Sequence, residues 1–223
     1  MKQMINQPLL PALSNYLASY ESEHSAKLDQ AALLAAKTVE NGGLIHLASG
    51  DMCSAAVFEP FLKPGCLCAF SPVTEPTLST LHGGYRSYLL KNTLNIGDFL
   101  YRYYRNIRPG DTFVIGDTLG SPAAAEMLRC AQEDKISVIW ITSRRESSGC
   151  DADVLLPMPP LDASNGPYSS LLLSAIGYEI NRRAIRILET SRCPFDTWQP
   201  YDPSSDQDNI RLCRTYRNRI KQL

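Results

Sequence analysis

The chain has 223 residues, of which 44% are hydrophobic, and this is enough apolar material for one sizeable core but hardly for two full domains. It carries 22 Lys and Arg against 23 Asp and Glu, a formal net charge of -1. Nothing in that balance favours nucleic acid or an anionic membrane as a partner. No apolar run is long enough for a transmembrane helix, and the N-terminus lacks the continuous apolar region of a secretory signal. We therefore expect a cytoplasmic protein.

The seven cysteines and three histidines predict no metal site. The cysteine count is odd and no C-x-x-C motif occurs, so the sequence indicates neither a disulfide framework nor a zinc knuckle. Several cysteines lie in apolar runs, where Cys behaves as a small hydrophobic residue. We predict reduced thiols, no metal and no cofactor.

The first forty residues favour helix, most clearly from Ser25 to Glu40, where apolar residues recur every three or four positions. These apolar residues are Leu28, Ala31, Ala32, Leu34, Ala35 and Val39. Asn41-Gly42-Gly43 is predicted to end the helix, since glycine accepts the left-handed C-cap conformation. Residues 1–24 are predicted to form an N-terminal helical extension.

The next segment predicts two buried strands, Leu44–Ala48 and Cys66–Phe70, separated by a helix over Met52–Leu62. Ser49-Gly50-Asp51 is the turn between the first strand and that helix. Residues 71–91 show no period and predict a long loop with at most one short helix. A long loop in a compact domain is more often functional than idle.

The middle of the chain predicts a helix over Ile96–Ile107, a strand over Thr112–Ile115 and a strand over Ser137–Thr142. Gly116–Gly120 is the turn after the first of these strands, and it leads into a helix that runs to Glu133. Each strand is thus followed by a turn and a helix, the pattern of a parallel sheet.

The last part predicts a fifth strand over Asp153–Leu156 and a long helix over Tyr168–Leu188. An irregular segment over 190–208 and a final helix over Ile210–Leu223 follow. The prediction is an α/β fold with a central parallel five-stranded sheet between two helical layers, and with helices added at both termini. Its core is about 25–188, and 189–223 is a C-terminal extension of the same single domain.

Three of the predicted turns carry hydroxyl side chains and follow strands, so right-handed crossovers place them at one edge of the sheet. The turns are Ser49 to Ser54, Gly116 to Ser121, and Thr142-Ser143. Glycine permits close backbone approach, and a helix N-terminus offers unpaired N–H groups that suit phosphate. The residues predicted to form this phosphate site are Ser49, Gly50, Cys53, Ser54, Thr118, Gly120, Ser121, Thr142 and Ser143.

A structural interpretation competes with this one. Ser121-Pro122 is also an ordinary helix start, with Ser at the N-cap and Pro at the first helical position. The convergence of three such turns favours a site over simple capping. The absence of a G-x-G-x-x-G or Walker lysine motif argues against dinucleotides and nucleoside triphosphates.

The order of elements and the wording of the turns resemble the sugar isomerase (SIS) family, which includes phosphoheptose isomerase. The stretches that carry the resemblance are 41–46, Glu75-Pro76, 81–84, 108–111 and 165–167. The likeness extends over about 25–188 and is nearest to small single-domain members of the family. It implies a small phosphorylated sugar as ligand and a homo-oligomer, a dimer or a tetramer.

Two departures from the family pattern affect the turns. The second turn reads Gly116-Asp117-Thr118-Leu119, where relatives usually have Ser-x-Ser-Gly. Asp51 stands where relatives often carry a neutral or basic residue, and an acid pointed at a phosphate repels it. We expect weakened phosphate binding or a different sugar derivative.

Isomerisation needs a base and an acid, and Glu75 and His82 in the long loop are the candidates. For Glu179 on the long helix, an exposed position without a catalytic role is the simpler interpretation. His46 in the first strand is more simply a core residue, and Arg144-Arg145 a solvated loop. For each candidate a purely structural role remains open.

The sequence is compatible with three functions. The first is a sugar-phosphate isomerase or a related lyase or etherase, favoured by Glu75 and His82. The second is a non-catalytic phosphosugar sensor or regulatory subunit, favoured by the altered second turn. The third is a structural subunit that keeps only an oligomer surface. The fold alone does not choose between them.

Overall fold

The computed structural model describes residues 9–51, 54–75, 84–103, 106–143, 152–159 and 166–223. The helices are α1 Leu9–Glu40, α2 Ser54–Phe58, α3 Tyr85–Lys91, α4 Ile96–Tyr103, α5 Pro122–Glu133, α6 Gly166–Ser191 and α7 Asp206–Tyr216. The strands are β1 Ile45–Ser49, β2 Phe70–Val73, β3 Thr112–Asp117, β4 Ser137–Thr142 and β5 Val154–Pro157. None of the helices within these ranges is long and apolar enough to cross a bilayer.

The five strands form one parallel sheet in the order β2-β1-β3-β4-β5. Register is set by pairs such as Ala48 with Ile115 and Ile115 with Trp140. Nearly every strand residue is buried, as expected for a sheet covered on both faces. The predicted α/β sandwich with a five-stranded parallel sheet is confirmed.

Two hydrophobic layers cover the sheet. One face packs against α1, α2 and α6, and this cluster includes Leu28, Ile45 and Ile139. The other face packs against α4 and α5, with Phe113, Met127 and Leu128 fully buried. The strand order reverses between β1 and β3, because β2 lies outside β1 and β4 outside β3. Such a switch point opens a crevice at the carboxyl edge of the sheet.

Helix α1 lies within the first forty residues predicted as helix, and it bends at His24, whose φ of -113° and ψ of 15° are not helical. The helix packs against α6, and its second half carries a row of fully buried alanines. These are Ala31, Ala32, Ala35 and Ala36. Their burial accounts for the apolar period in this stretch.

Strand β2 begins four residues later than predicted, at Phe70 instead of Cys66. The apolar run Cys66–Ala69 is buried, and Cys66 to Cys68 within it pair with the C-terminal segment. Leu67 bridges Thr197 in antiparallel fashion, and Trp198 N donates to Cys66 O at 3.0 Å. The run is apolar because it is buried, although it is not part of strand β2.

The C-terminal segment also closes the amino edge of the sheet. Ile220 is fully buried beside Leu44. Arg219 Nη2 lies 2.9 Å from both carboxylate oxygens of Asp111, which precedes β3. The same carboxylate meets His46 Nε2 at 2.9 Å. This edge is opposite to the one that carries the turns.

Candidate functional site

The turns after β1, β3 and β4 meet at the carboxyl edge, where those predicted residues that the structure describes in these turns lie close together. Gly50 N donates to Gly116 O at 3.0 Å, which joins the turn after β1 to β3. Ser143 N donates to Asp117 O at 3.2 Å, and Ser143 Oγ donates to Thr118 O at 2.8 Å. These bonds place three turns side by side at the switch point.

Gly50 lies directly against the start of α5. A Cβ atom there would come within 2.4 Å of Ser121 Oγ and 2.7 Å of Ala124 Cβ. Only glycine permits this approach of the β1 turn to the helix. Glycine at position 50 therefore allows the turn after β1 and the start of α5 to pack against each other.

Ser121 is the N-cap of α5. Its Oγ accepts a hydrogen bond from Ala124 N at 3.2 Å, and Pro122 occupies the first helical position. Capping was the structural interpretation of this serine, and the structure shows that role. Gly120, with φ of +69°, makes the turn that leads into the cap.

Asp51 lies inside the β3 turn, which we define as Asp117 to Ser121. Asp51 is buried, with 2% of its surface exposed. Its Oδ2 accepts hydrogen bonds from Thr118 N, from Thr118 Oγ1 at 2.7 Å and from Leu119 N at 3.1 Å. Two consecutive amide groups and a hydroxyl thus converge on one carboxylate oxygen.

A second carboxylate, that of Asp117, occupies donors on the other side of the same turn. Its Oδ1 accepts from Ser121 N at 2.9 Å and its Oδ2 accepts from Thr142 Oγ1 at 3.3 Å. Asp117 and Thr142 are fully buried. The edge therefore holds two buried acids within a network of hydroxyl and amide donors.

Three predicted binding residues remain, Ser49, Cys53 and Ser54, and the structure describes the side chain of Ser49 alone among them. Ser49 Oγ exchanges hydrogen bonds with the Asp51 backbone, at 3.1 Å to its carbonyl oxygen and 3.2 Å from its amide. Cys53 lies outside the described residues, and of Ser54 the structure describes only its place as the first residue of α2.

Of the two predicted catalytic residues, the structure describes only Glu75. Glu75 follows the carboxyl end of β2 by two residues and is half-buried. His82 lies outside the described residues, as do Arg144 and Arg145. Their approach to the turns is a prediction that rests on the sequence.

Two other acid–base candidates take part in ion pairs. Glu179 accepts from Arg182 and Arg183. Burial alone would raise the pKa of Glu179, but these arginines lower it below its usual value. His46 is fully buried against Asp111, as expected for a core residue. In these ion pairs, neither Glu179 nor His46 is available as a base at the carboxyl edge of the sheet.

No role was predicted for Asp117 from the sequence, and Asp51 was noted only as a departure from the family pattern. Each acid stands at the end of a strand, Asp51 directly after Gly50 and Asp117 directly after Gly116. That signal marks a possible acceptor for turn amides. The sequence does not tell which turn such an acceptor reaches. Within the described ranges, no group of three or more His, Cys, Asp or Glu side chains is arranged to hold a metal ion.

Comparison with known proteins agrees with this architecture. The model of the SIS domain family matches residues 10–143, more than half of the chain. A UPF0309 protein of Geobacillus kaustophilus is 24% identical over 99% of this chain and 97% of its own. A UPF0309 protein of Listeria monocytogenes is 28% identical over 63% of this chain and 54% of its own.

Among solved structures, phosphoheptose isomerase from Neisseria gonorrhoeae superimposes with a TM-score of 0.53. The alignment covers 77% of this chain and 94% of that protein, at 22% identity. At this identity the similarity concerns the fold. The match to the family model, together with the observed sheet, shows that the chain belongs to the SIS domain family.

Proposed function

We propose that this protein binds a phosphorylated sugar along the carboxyl edge of its sheet and isomerises it by proton transfer. The observation that carries the proposal is the junction of the β1, β3 and β4 turns at the switch point. Hydrogen bonds from Gly50 and Ser143 join these turns into one surface. In doubly wound sheets this is the position at which ligands bind.

The binding surface in this proposal consists of the predicted turn residues. They are Ser49, Gly50, Cys53, Ser54, Thr118, Gly120, Ser121, Thr142 and Ser143. Glu75 and His82 are the proposed proton-transfer groups, because both follow β2, the strand beside β1. The solved phosphoheptose isomerase with the same fold supports this class of substrate.

A thermal-shift panel tests the binding step. Hexose, heptose and amino-sugar phosphates are compared with their unphosphorylated forms. A ligand at 100 times its dissociation constant stabilises by about 2.7 kcal/mol, or about 5 to 10 °C in Tm for a chain of this size. No shift with any phosphorylated sugar would contradict the proposal.

Exchange of the proton at C2, followed by NMR in deuterated water, tests the chemistry on any sugar that binds. Glu75→Gln removes a base without changing the size of the side chain. It should leave the thermal shift intact and slow exchange by about 100-fold or more. Glu133→Gln, an exposed residue at the far end of α5, is the matched control and should leave both unchanged.

The alternative function is a non-catalytic phosphosugar sensor. The observation that favours it is the pair of buried acids in the β3 turn, since these use donors that a catalytic site would direct to the ligand. Binding without exchange at C2 in the wild-type protein would support the sensor. Binding with exchange would exclude it.

A further inference from the structure

The β3 turn carries the donors of an anion site, but the anion is part of the chain. Consecutive backbone N–H groups in a turn, with a hydroxyl beside them, form a concave site suited to an anionic oxygen. Here Thr118 N, Thr118 Oγ1 and Leu119 N all donate to Asp51 Oδ2. The carboxylate oxygen therefore occupies the position that a phosphate oxygen would take.

The neighbouring donors of the same turn are also used within the chain. Ser121 N donates to Asp117 Oδ1, and Ala124 N donates to Ser121 Oγ. A phosphate placed against the start of α5 would compete for these amides with the Asp117 carboxylate and the Ser121 hydroxyl, and it would lie beside two buried carboxylates, those of Asp51 and Asp117. It would also meet their negative charge at short range, where repulsion is strong in a poorly solvated site.

The position of Asp51 is determined by its backbone. Gly50 N is bonded to Gly116 O in β3, and Gly50 packs within contact distance of Ser121 and Ala124. Ser49 Oγ holds the Asp51 amide and carbonyl. The backbone of Asp51 is thus fixed at the end of β1, and from there its carboxylate reaches into the β3 turn.

We propose that Asp51 is an internal anion that excludes the ligand's phosphate from the β3 turn and so determines specificity at this site. This inference rests on the proposed sugar-binding function. It narrows the substrate class to a sugar derivative that directs a neutral or cationic group, and not its phosphate, toward the β3 turn. The phosphate of such a ligand is then bound by another part of the sheet edge.

Chemical rescue of Asp51→Ala tests the inference. Alanine removes the carboxylate and leaves the donors of Thr118 and Leu119 without it, so the variant should melt lower than the wild type. Sodium formate, a free carboxylate of the size lost, should restore stability. At ten times its dissociation constant it should raise Tm by about 3 to 6 °C, measured against chloride at equal ionic strength.

Inorganic phosphate extends the test to the excluded group. In Asp51→Ala it should also raise Tm, because the donors of Thr118 and Leu119 are then open to a small oxyanion, but by less than formate, because the Asp117 carboxylate remains beside them. Asp51→Asn is the matched control, since its amide oxygen still fills the turn and accepts from the same donors. Neither the wild type nor Asp51→Asn should gain stability from formate beyond the chloride reference.

Failure of formate and phosphate to stabilise Asp51→Ala would overturn the proposal, and so would equal stabilisation of all three proteins. If Asp51→Ala is unfolded without added anion, the far-UV circular dichroism signal replaces Tm. Asp51→Ser, which keeps one acceptor in the turn, is then tested beside it. Recovery of the folded signal with formate supports the proposal, and no recovery in either variant overturns it.

The sugar-phosphate panel on the wild-type protein is scored separately. Silence there removes the proposed function, but it does not change the outcome of the rescue experiment on Asp51. Conversely, a sugar phosphate that binds the wild type while Asp51→Ala shows no rescue removes only the role of Asp51.

Discussion

At the scale of single residues, Asp111 at the amino edge of the sheet accepts hydrogen bonds from four other residues. It accepts from Leu44 N at 2.8 Å and Arg108 N at 2.9 Å, in addition to His46 and Arg219. Burial alone would raise the pKa of Asp111, but these donors and the nearby charges lower it below its usual value. The ionised form is therefore the one that the fold stabilises.

A folded-state pKa below the unfolded value of about 3.9 makes this stabilisation depend on pH. It is fully present above the unfolded value and is lost as the pH falls through the lower, folded value. Asp111→Asn should reduce the free energy of unfolding by about 3 to 5 kcal/mol near pH 7. The difference from the wild type should shrink below about pH 4, as measured by urea unfolding.

Asp208→Asn is the control for the Asp111 experiment, because the Asp208 side chain is 65% exposed and its nearest arginine nitrogen is 3.9 Å away. It should change stability by less than about 0.5 kcal/mol. A difference between Asp111→Asn and the wild type that stays constant down to pH 2 would contradict the role given to the ionised carboxylate.

At the scale of secondary-structure elements, α4 and α5 cross so closely that one of them needs glycine. A Cβ atom on Gly97 would lie 2.1 Å from Ala123 O and 2.8 Å from Glu126 Cβ. The Glu126 carboxylate also accepts from Asn95 N and Gly97 N at the start of α4. The two helices are therefore fixed to each other by both contact and hydrogen bonds.

Gly97→Ala should destabilise the protein by about 2 to 3 kcal/mol, because the methyl group forces backbone apart in a packed layer. Gly177→Ala is the matched control within α6. There the added Cβ would lie 3.1 Å from Pro60 Cγ, a side-chain atom that can yield. The gain in helix propensity, up to about 1 kcal/mol, should offset that contact. Equal losses in urea unfolding would show that the α4–α5 approach is not the cause.

At the scale of the whole molecule, the segment after α6 is packed onto the sheet domain. Trp198 is 1% exposed, and Ile220 is fully buried. Backbone hydrogen bonds connect Trp198 with Cys66 and Gly65. The predicted C-terminal extension therefore contributes side chains to the same folded body as the sheet.

Ile220→Ala should reduce the free energy of unfolding by about 2 to 5 kcal/mol, as expected for a large-to-small change at a buried site. Ile210→Ala on α7 is the control, since Ile210 is 43% exposed, and it should lose less than about 1 kcal/mol. Chemical denaturation of both variants provides the measurement. Similar losses would contradict the packing of the C-terminus against Leu44.

The sequence by itself determined the alternation of strands and helices and, through it, the parallel sheet. Local composition is sufficient there, because buried strands and amphipathic helices have different periods. Strand β4 begins and ends where the apolar run Ser137–Thr142 does, and Ser121-Pro122 marks the start of α5. These features depend on neighbours in the chain alone.

Only the tertiary structure decided which groups meet at the carboxyl edge. Asp51 and Thr118 are 67 positions apart, and nothing local in either turn indicates that one supplies the acceptor for the other. The same holds for Cys66–Ala69, whose apolar composition fits both a strand and the observed pairing with residues 196–198. Hydrophobic burial constrains composition, whereas the hydrogen-bond partner of a buried group depends on how distant segments are brought together.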